Sequence, residues 1–261
     1  MSGECDFSSG SESVSYTFTG QRDDYTELTK TGLRIEKPTG GTPIARRLSF
    51  QQNVGDYTGA TDVEVWAIAP DQTLDRQGTL TSDGNNGGGE SQVLIRFDRI
   101  IGAAAHQVPR SARVTNATLT VVAFDPGTTV YVHRILVPWT AAATWNRLAG
   151  GLSVDDREAS RVRDGFTFGQ INMDRQFVQF DVTQTVQAWI DGAANHGWLF
   201  VNTGSNGWDF YSSDWHEKEL RPRLDVHFVT SAAGNDRAFG PFERAGQPAG
   251  QPADKAKAKA N

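Results

Sequence analysis

The sequence predicts an all-β fold, an antiparallel β-sandwich of jelly-roll type with one short helix. Short β-rich runs recur about every ten to fifteen residues, and clusters of Gly, Asp, Asn and Pro separate them. The 27 glycines favour many turns over long helices. The 261 residues are enough for one large all-β domain or two small ones, and the apolar fraction of 38% suits a globular core with wide loops.

Residues 1–48 are predicted to form an N-terminal arm that packs on the main domain, or the remnant of a preceding domain. Strands are expected at Val14–Phe18 and within Gly32–Lys37, and two strands are too few for an independent domain. Met1–Gly10 lacks the basic and apolar parts of a signal peptide. An exported protein would therefore carry its leader ahead of this chain, or the chain was cut from something longer.

Residues 49–230 are predicted to form the sandwich. In Gln92–Asp98, alternation points Val93, Ile95 and Phe97 toward the core and leaves a mostly polar opposite face. The longest β-rich run, Val114–Phe124, is followed by a turn signal at residues 125–127 and by the next strand, which predicts a hairpin. Further strands are expected at Asp62–Trp66, Trp208–Ser212 and Leu224–Val229.

The segment Phe177–Phe200 combines two strands and a short helix, and the rest of the fold is arranged around it. Thr183 is expected to cap the helix, and Asp191-Gly192 is expected to end it. A helix this short is not stable alone in water, so its apolar face must be buried against a larger structure. That face consists of Val186, Trp189 and Ile190.

Several motifs occur in an order that is characteristic of a known family. They are Gln92–Asp98, Val114–Leu119, Trp139, Thr144-Trp145-Asn146, Phe180–Thr183 with Val186 and Trp189, Gly197-Trp198-Leu199, Phe210–Ser213 and Arg221–Leu224. Over residues 49–230 the chain resembles the DNRLRE-type domain, which is also classed as carbohydrate-binding module family 96. The resemblance implies a jelly-roll β-sandwich with an accessory role, which in some members is the binding of acidic polysaccharides. It implies no catalytic centre.

Charge and hydropathy restrict the partners and the location. A net charge of -6 argues against nucleic acid, because phosphate binding needs clustered Lys and Arg. The basic run Lys255, Lys257 and Lys259 lies in the tail of residues 231–261, whose composition predicts disorder. No stretch approaches the roughly 18 apolar residues of a membrane span, so no membrane insertion is expected. The resemblance places the chain outside the cell or at its surface.

The sequence does not predict an enzyme. No Gly-x-Ser-x-Gly elbow is present, and Cys5, the single cysteine, excludes an intrachain disulfide and a cysteine-based zinc cluster. Paired carboxylates are the chemistry of a glycosidase. Two clusters offer them: Asp155-Asp156 with Glu158, and Asp214 with Glu217 and Glu219. Adjacent acids in turns are common on any acidic surface, so catalysis is the less favoured interpretation.

No cofactor is expected, although one loop carries the oxygen donors of a calcium site. Asp83, Asn85 and Glu90 lie in a glycine-rich segment that begins like an EF-hand loop. Leu94 occupies the twelfth position, where a bidentate Glu belongs, and a strand follows instead of a helix. A plain hairpin loop is the favoured interpretation, and a bound calcium would only staple loops together.

The seven tryptophans are the most informative residues for function, because sugars are bound on flat aromatic faces beside hydrogen-bonding groups. Trp139, Trp145, Trp189 and Trp198 lie in apolar segments, which favours core packing. The segment around residues 204–221 has little apolar cover. The predicted carbohydrate-binding residues are therefore Trp208, Tyr211, Asp214, Trp215, His216 and Arg221.

These observations favour a non-catalytic extracellular module that binds polysaccharide or mediates adhesion. A structural spacer or a subunit of a cell-surface assembly is the alternative, with self-association or attachment to other surface proteins. A polysaccharide lyase or glycoside hydrolase is third. A binding module should carry an aromatic patch on an otherwise polar monomer. An assembly subunit should carry a flat apolar patch. An enzyme should have a cleft with two converging acids.

Overall fold

The computed structural model describes residues 2–9, 12–19, 41–125, 127–167 and 175–232. The chain divides into two compact units, Met1–Thr39 and Gly40–Asn261. In the first unit, β1 (Ser2–Ser9) pairs antiparallel with β2 (Glu12–Thr19), which contains the predicted strand Val14–Phe18. The second predicted strand of this region, within Gly32–Lys37, lies outside the described residues.

The second unit is built from eleven strands, which pair antiparallel with one another. The strands are β3 (Gly41–Gln51), β4 (Ala60–Trp66), β5 (Thr79–Asn86), β6 (Gly89–Phe97), β7 (Arg113–Asp125), β8 (Val130–Ile135), β9 (Ala159–Thr167), β10 (Gln176–Asp181), β11 (Trp198–Asn202), β12 (Trp208–Tyr211) and β13 (Arg223–Ala232). The only α-helix among the described residues is α1 (Thr183–Ile190), and 3₁₀ turns lie at Asn146–Leu148 and Lys218–Leu220. The predicted all-β fold class is confirmed.

The strands form a curled, jelly-roll-like sandwich. The first sheet contains β3, β13, β7, β10 and β12, and the second contains β4, β6, β11, β8 and β9. β5 pairs with β12 along residues 79–82 and with β6 near its far end, so it belongs to both sheets. This shared strand closes one side of the sandwich.

The limits of the sandwich differ from those predicted. β3 pairs with β13 from Gly41 onward, so the predicted boundary at residue 48 falls inside a strand of the sheet. At the other end, β13 continues through Ala232, and residues 233–261 of the predicted tail lie outside the described residues.

The predicted hairpin between β7 and β8 is wrong. β7 pairs with β10, β12 and β13 in the first sheet, whereas β8 pairs with β9 and β11 in the second. The turn signal at residues 125–127 therefore marks a crossing between sheets. A tight hairpin does join β5 and β6, where Gly87 and Gly88 have φ angles of 63° and 102°.

The main core lies between the two sheets. The predicted inward face of β6 (Val93, Ile95 and Phe97) is confirmed, and Leu224, Val226 and Phe228 of β13 face the same core; each of these side chains is at most 1% exposed. A second cluster covers the outer face of the second sheet, where Leu94 and Leu199 pack with Trp139 and Leu152 of the segment that follows β8. The outer face of β6 is mostly polar, as predicted, but this cover buries its residues Gln92 and Leu94.

The helix α1 packs as predicted but begins differently. Val186, Trp189 and Ile190 are buried, and Gly192 takes a φ of 113° just after the helix ends. Thr183 is the first helical residue and does not cap it. Its Oγ1 instead accepts a hydrogen bond from the backbone N–H of Ala117 in β7 (2.8 Å), which fixes the helix to the first sheet.

Candidate functional site

The outer face of the first sheet carries a small apolar cluster. Val122 of β7, Tyr211 of β12 and Leu220 are buried together, and Phe124 and Trp215 pack against them while remaining partly exposed. On neighbouring β10, Phe177 pairs in register with Val122 and exposes 54% of its surface. Because paired residues share a face of a sheet, this apolar side chain lies beside the cluster in contact with solvent.

Four rings of this face follow one another from the sheet to solvent; we call them the aromatic tier. Ring centroids are 4.8 Å apart between Phe124 and Tyr211, 4.6 Å between Tyr211 and Trp215, and 4.3 Å between Trp215 and His216. The rings are tilted by 33° to 50°. The tier ends at His216, whose side chain is 73% exposed.

The loop after β12 holds Trp215 in place from two sides. Ser212 donates from its N–H to the carbonyl of Gly78 (3.1 Å) and from its hydroxyl to the carbonyl of Gln77. A Cβ at Gly78 would lie 2.9 Å from Cε3 of Trp215, so the indole rests directly on this glycine. The ring position is therefore built by the chain just ahead of β5.

Arg221 also holds this loop, through hydrogen bonds to main-chain carbonyls. Its Nε donates to the carbonyl of Trp215 (2.6 Å) and its Nη1 to the carbonyl of Gln52 (3.0 Å), while its own carbonyl accepts from the side chain of Gln51. The residue is buried. Arg221 therefore positions the main chain under Trp215 and does not face a ligand.

Of the predicted binding residues, Tyr211, Trp215 and His216 come together in the aromatic tier, and Asp214 is exposed beside them. Trp208 must be removed from the predicted set, because it is 1% exposed in the core between the sheets. Alternation along β12 turns Trp208 and Phe210 inward and Asp209 and Tyr211 outward. The polar residues around Trp208 suggested that its side chain is exposed. The sequence did not show which residues of β12 point inward.

An ion pair that the sequence did not suggest borders the tier. Both terminal nitrogens of Arg175 donate to the carboxylate oxygens of Glu217 at 3.1 Å, and this pairing raises the pKa of the guanidinium. His216 Nε2 lies 3.7 Å from the same carboxylate. The sequence of β10 does indicate an apolar spot on this face. Its outward positions alternate with buried ones, and Phe177 is an apolar residue at an outward position that is otherwise polar.

A polar cavity of about 390 Å³ opens at Ser213 and Asp214, the two residues that precede Trp215 in the chain. It lies between the end of β3, the start of β4, the loop ahead of β5 and the loop after β12. Its lining residues are Gln52, Ala60, Thr61, Asp62, Asp75, Arg76, Ala141, Ser213 and Asp214. Three of them are carboxylates and one is a guanidinium.

Asp62 and Glu64 are buried carboxylates that the sequence analysis did not identify. Both lie on the inner face of β4, opposite Ile95 and Val93. Burial raises the pKa of Asp62 to about 7, partly offset by hydrogen bonds from Ser213, whose N–H is 2.7 Å from Oδ2. Burial also raises the pKa of Glu64 to about 7, although the N–H of Thr81 donates to its Oε2 (2.6 Å). Apolar and acidic residues alternate strictly in Asp62–Trp66, but this pattern did not show that the strand is buried on both faces.

The acid clusters considered for a glycosidase make other contacts. Asp155 accepts from the N–H groups of Arg157 and Glu158, which lowers its pKa. Asp156 accepts from the N–H of Arg161, and Glu158 from that of Ser153. These carboxylates hold the turns ahead of β9. In the other cluster, Glu217 pairs with Arg175, while Asp214 and Glu219 are exposed.

The predicted calcium-binding residues lie around the β5–β6 hairpin. Oδ1 of Asp83 accepts from the N–H of Asn85 (2.9 Å), and Oε1 of Glu90 accepts from the side chain of Gln92 (2.9 Å). Across the described ranges, no group of three or more His, Cys, Asp or Glu side chains is arranged to hold a metal ion. The two-residue turn explains the glycines, and a structural calcium stays a prediction.

Among the helices that the structure describes, none is long and apolar enough to cross a membrane. Comparison of the chain with protein-family models gives no match. Comparison with curated proteins gives no match either.

Proposed function

We propose that this chain is a non-catalytic, extracellular carbohydrate-binding module of the DNRLRE type, and that it binds polysaccharide on the aromatic tier. The observation that carries the proposal is the position of Trp215. Its ring is partly exposed on one sheet face, backed by Tyr211 and followed by the exposed His216. Rigid aromatic rings with polar groups at their edges suit the apolar faces and hydroxyl rims of sugars.

Polar groups border the tier. Asp214 is next to Trp215 in the chain, and the Arg175–Glu217 pair follows His216. Carboxylates and guanidinium groups hydrogen-bond sugar hydroxyls as acceptors and donors respectively. The rings would supply apolar contact, and these groups would fix the orientation of the sugar.

An assembly subunit is the second candidate, and the exposed apolar side chains favour it. Phe177 is 54% exposed on the first sheet, and Val162 and Phe166 are 68% and 48% exposed on β9. These residues are on different sheets, but β9 and β10 lie next to each other. A stable protein interface is one contiguous patch of roughly 800 Å² per partner, and the assembly function requires these side chains to form such a patch.

The proposal is tested by affinity electrophoresis of the wild type and Trp215→Ala in gels that contain neutral, acidic or amino polysaccharides. Loss of the ring contact should weaken binding of the retained polysaccharide by about tenfold or more. Phe166→Ala is the matched control, because it removes an exposed ring from the other sheet. We expect the control to be retained like the wild type.

A result of no retention on any polysaccharide would reject the proposal. If light scattering then shows a mass that rises with protein concentration, the assembly function replaces it. Retention that is equal for the wild type and Trp215→Ala would move the binding surface away from the aromatic tier.

A further inference from the structure

A cavity of about 330 Å³ lies between the segment that follows β6 and the loop that joins α1 to β11. The lining residues that matter here are Asp98, Arg99, Ile100, Arg110, Trp189 and Asn195. No residue of the aromatic tier lines this cavity. It is therefore a site separate from the surface proposed for polysaccharide.

The cavity carries an excess of positive charge, although the net charge of the chain is -6. Asp98 is the one carboxylate in the lining, and both of its oxygens accept from the guanidinium of Arg96, at 2.7 and 3.1 Å. Arg99 uses Nη2 to donate to the carbonyl and hydroxyl of Thr58, which leaves its Nε and Nη1. Arg110 is exposed and forms no ion pair with any described residue. Donors of two guanidinium groups thus remain for an anion.

A buried donor without an acceptor also lines the cavity. Trp189 is only 1% exposed, and its Nε1 has no hydrogen-bond acceptor among the described residues. A buried N–H that has exchanged water for no partner costs free energy. The indole nitrogen donates and cannot accept, so only a ligand that carries an acceptor atom recovers this cost.

Hydrogen bonds hold both walls of the cavity in place. Asn195 donates from Nδ2 to the carbonyl of Phe97 (2.8 Å) and accepts at Oδ1 from the N–H of Gly197 (3.1 Å). On the other wall, Gln107 donates to the carbonyl of Arg99 (2.9 Å). Arg99 has a φ of 57°, a strained conformation of the kind that clusters at ligand sites. The donors are therefore presented by a preorganised frame, which reduces the cost of ordering on binding.

The C-terminal end of α1 borders the cavity, and the carbonyls of a helix end disfavour an anion. The carbonyls of Gln187, Ala188 and Trp189 already accept from the N–H groups of residues 191–193. Each guanidinium carries a full positive charge, whereas a helix end has roughly half a charge. The balance at the cavity therefore remains positive.

We propose that this cavity is an oxyanion site that binds sulfate or phosphate, either as the free ion or as an ester on a sugar. Arg99 and Arg110 would bind the anion through their free N–H groups, and Trp189 would donate from Nε1. A tetrahedral oxyanion offers at least three terminal oxygens to these three donor groups, whereas a carboxylate offers two. The inference does not depend on the carbohydrate-binding function, because the two sites share no residue.

Titration of the full chain with sodium sulfate, sodium phosphate or sodium acetate, followed by NMR of the indole N–H groups, tests the inference. The seven tryptophans give seven indole signals, and Trp189→Phe identifies the signal of residue 189. We expect sulfate and phosphate to move this signal downfield in a saturable manner. Acetate should bind at least about tenfold more weakly at the same ionic strength.

Three variants assign the binding to the cavity. Arg99→Gln and Arg110→Gln each remove one charge at the surface and should raise the Kd for sulfate by about tenfold. Trp189→Phe keeps an aromatic ring, removes the N–H, and should weaken binding by a similar factor, measured by isothermal titration. Circular dichroism verifies that this core variant is folded. Arg157→Gln is the matched control, because Arg157 is an exposed arginine outside the cavity lining.

Sugar esters distinguish the two sources of the anion. Glucose 6-sulfate and glucose 6-phosphate that bind more tightly than the inorganic ions would identify an ester on a saccharide as the ligand. Inorganic ions that bind more tightly would identify the free ion. Glucose alone should leave the Trp189 signal unmoved.

Three results would overturn the inference. The first is a Trp189 signal that does not move in a saturable manner with either anion. The second is acetate binding as tight as sulfate binding. The third is an equal loss of affinity in Arg110→Gln and Arg157→Gln, which would assign the binding to general charge attraction. None of these results bears on retention by polysaccharide gels, which tests the aromatic tier alone.

Discussion

At the residue scale, the glycine at the start of β11 shows how closely two strands approach. Gly197 has a φ of 76°, and a Cβ there would lie 2.0 Å from the carbonyl oxygen of Ile95. The left-handed conformation and the close contact both require glycine. Gly192, which precedes it in the chain, has a φ of 113°, but a Cβ at this position would have no atom within 4 Å.

These two glycines permit a matched prediction. Gly197→Ala should lower the free energy of unfolding by about 3 kcal/mol or more, because backbone strain and overlap add together. Gly192→Ala should cost about 1 kcal/mol, because strain acts alone. Urea titration followed by tryptophan fluorescence measures both. Equal losses would mean that the approach to Ile95 is not tight.

The residues that we propose to bind polysaccharide could be predicted only in part from local composition. Tyr211, Trp215 and His216 lie in a segment with little apolar cover, and the structure brings them together. Trp208 has the same local surroundings but alternates into the core. Asp62 was not identified because the residues that bury it, such as Ser213, are distant in the sequence.

At the element scale, several side-chain hydrogen bonds hold the helix against the strands. Oγ1 of Thr183 accepts from the N–H of Ala117, a residue with no exposed surface. Trp198 Nε1 and Thr185 Oγ1 both donate to Asp164 of β9, and these bonds tie the helix and β11 to the second sheet. The helix is therefore anchored to both sheets.

Replacing Thr183 with Val should leave the N–H of Ala117 buried and unpaired. A lost partner of this kind costs about 1 to 3 kcal/mol of unfolding free energy. Thr115→Val on the exposed side of β7 makes the same change of side chain without that loss and should be nearly neutral. Thermal unfolding by calorimetry distinguishes the variants. A neutral Thr183→Val would show that the hydrogen bond adds little stability.

Element types were predictable from local patterns, whereas the partners of each strand were not. The alternation of β6 and β13 and the apolar face of α1 follow from residues that are neighbours in sequence. The false hairpin between β7 and β8 shows the limit, because a turn signal does not tell whether the chain returns to the same sheet. Sheet membership is decided by pairings between distant segments, such as β7 with β13.

At the scale of the whole molecule, buried acids link stability to pH. The pKa of Asp62 rises from 3.8 to about 7, and that of Glu64 from 4.5 to about 7. Between about pH 4 and pH 7 the folded state therefore holds protons that the unfolded chain has released. The contribution of these groups is largest below pH 4 and declines as the pH rises toward 7.

We expect the double variant Asp62→Asn, Glu64→Gln to lose this pH dependence. From pH 5 to pH 8 the wild type should lose stability relative to the variant, by an amount on the order of a few kcal/mol. Chemical unfolding at a series of pH values measures the difference, and the comparison cancels the opposing effects of other acids such as Asp225. Parallel curves for the two proteins would show that both carboxylates remain ionised in the fold.

The strand that belongs to both sheets also protects the molecule from unwanted polymerisation. A sandwich of two separate sheets exposes four strand edges, each of which can template another chain. Because β5 hydrogen-bonds to β12 and to β6, the two sheets are joined along this strand. Four strands, β3, β4, β9 and β10, each pair with a single neighbouring strand. Of these, β3 carries Arg46 and Arg47 and β9 carries Arg161 and Arg163, so a second copy approaching β3 or β9 meets like charge.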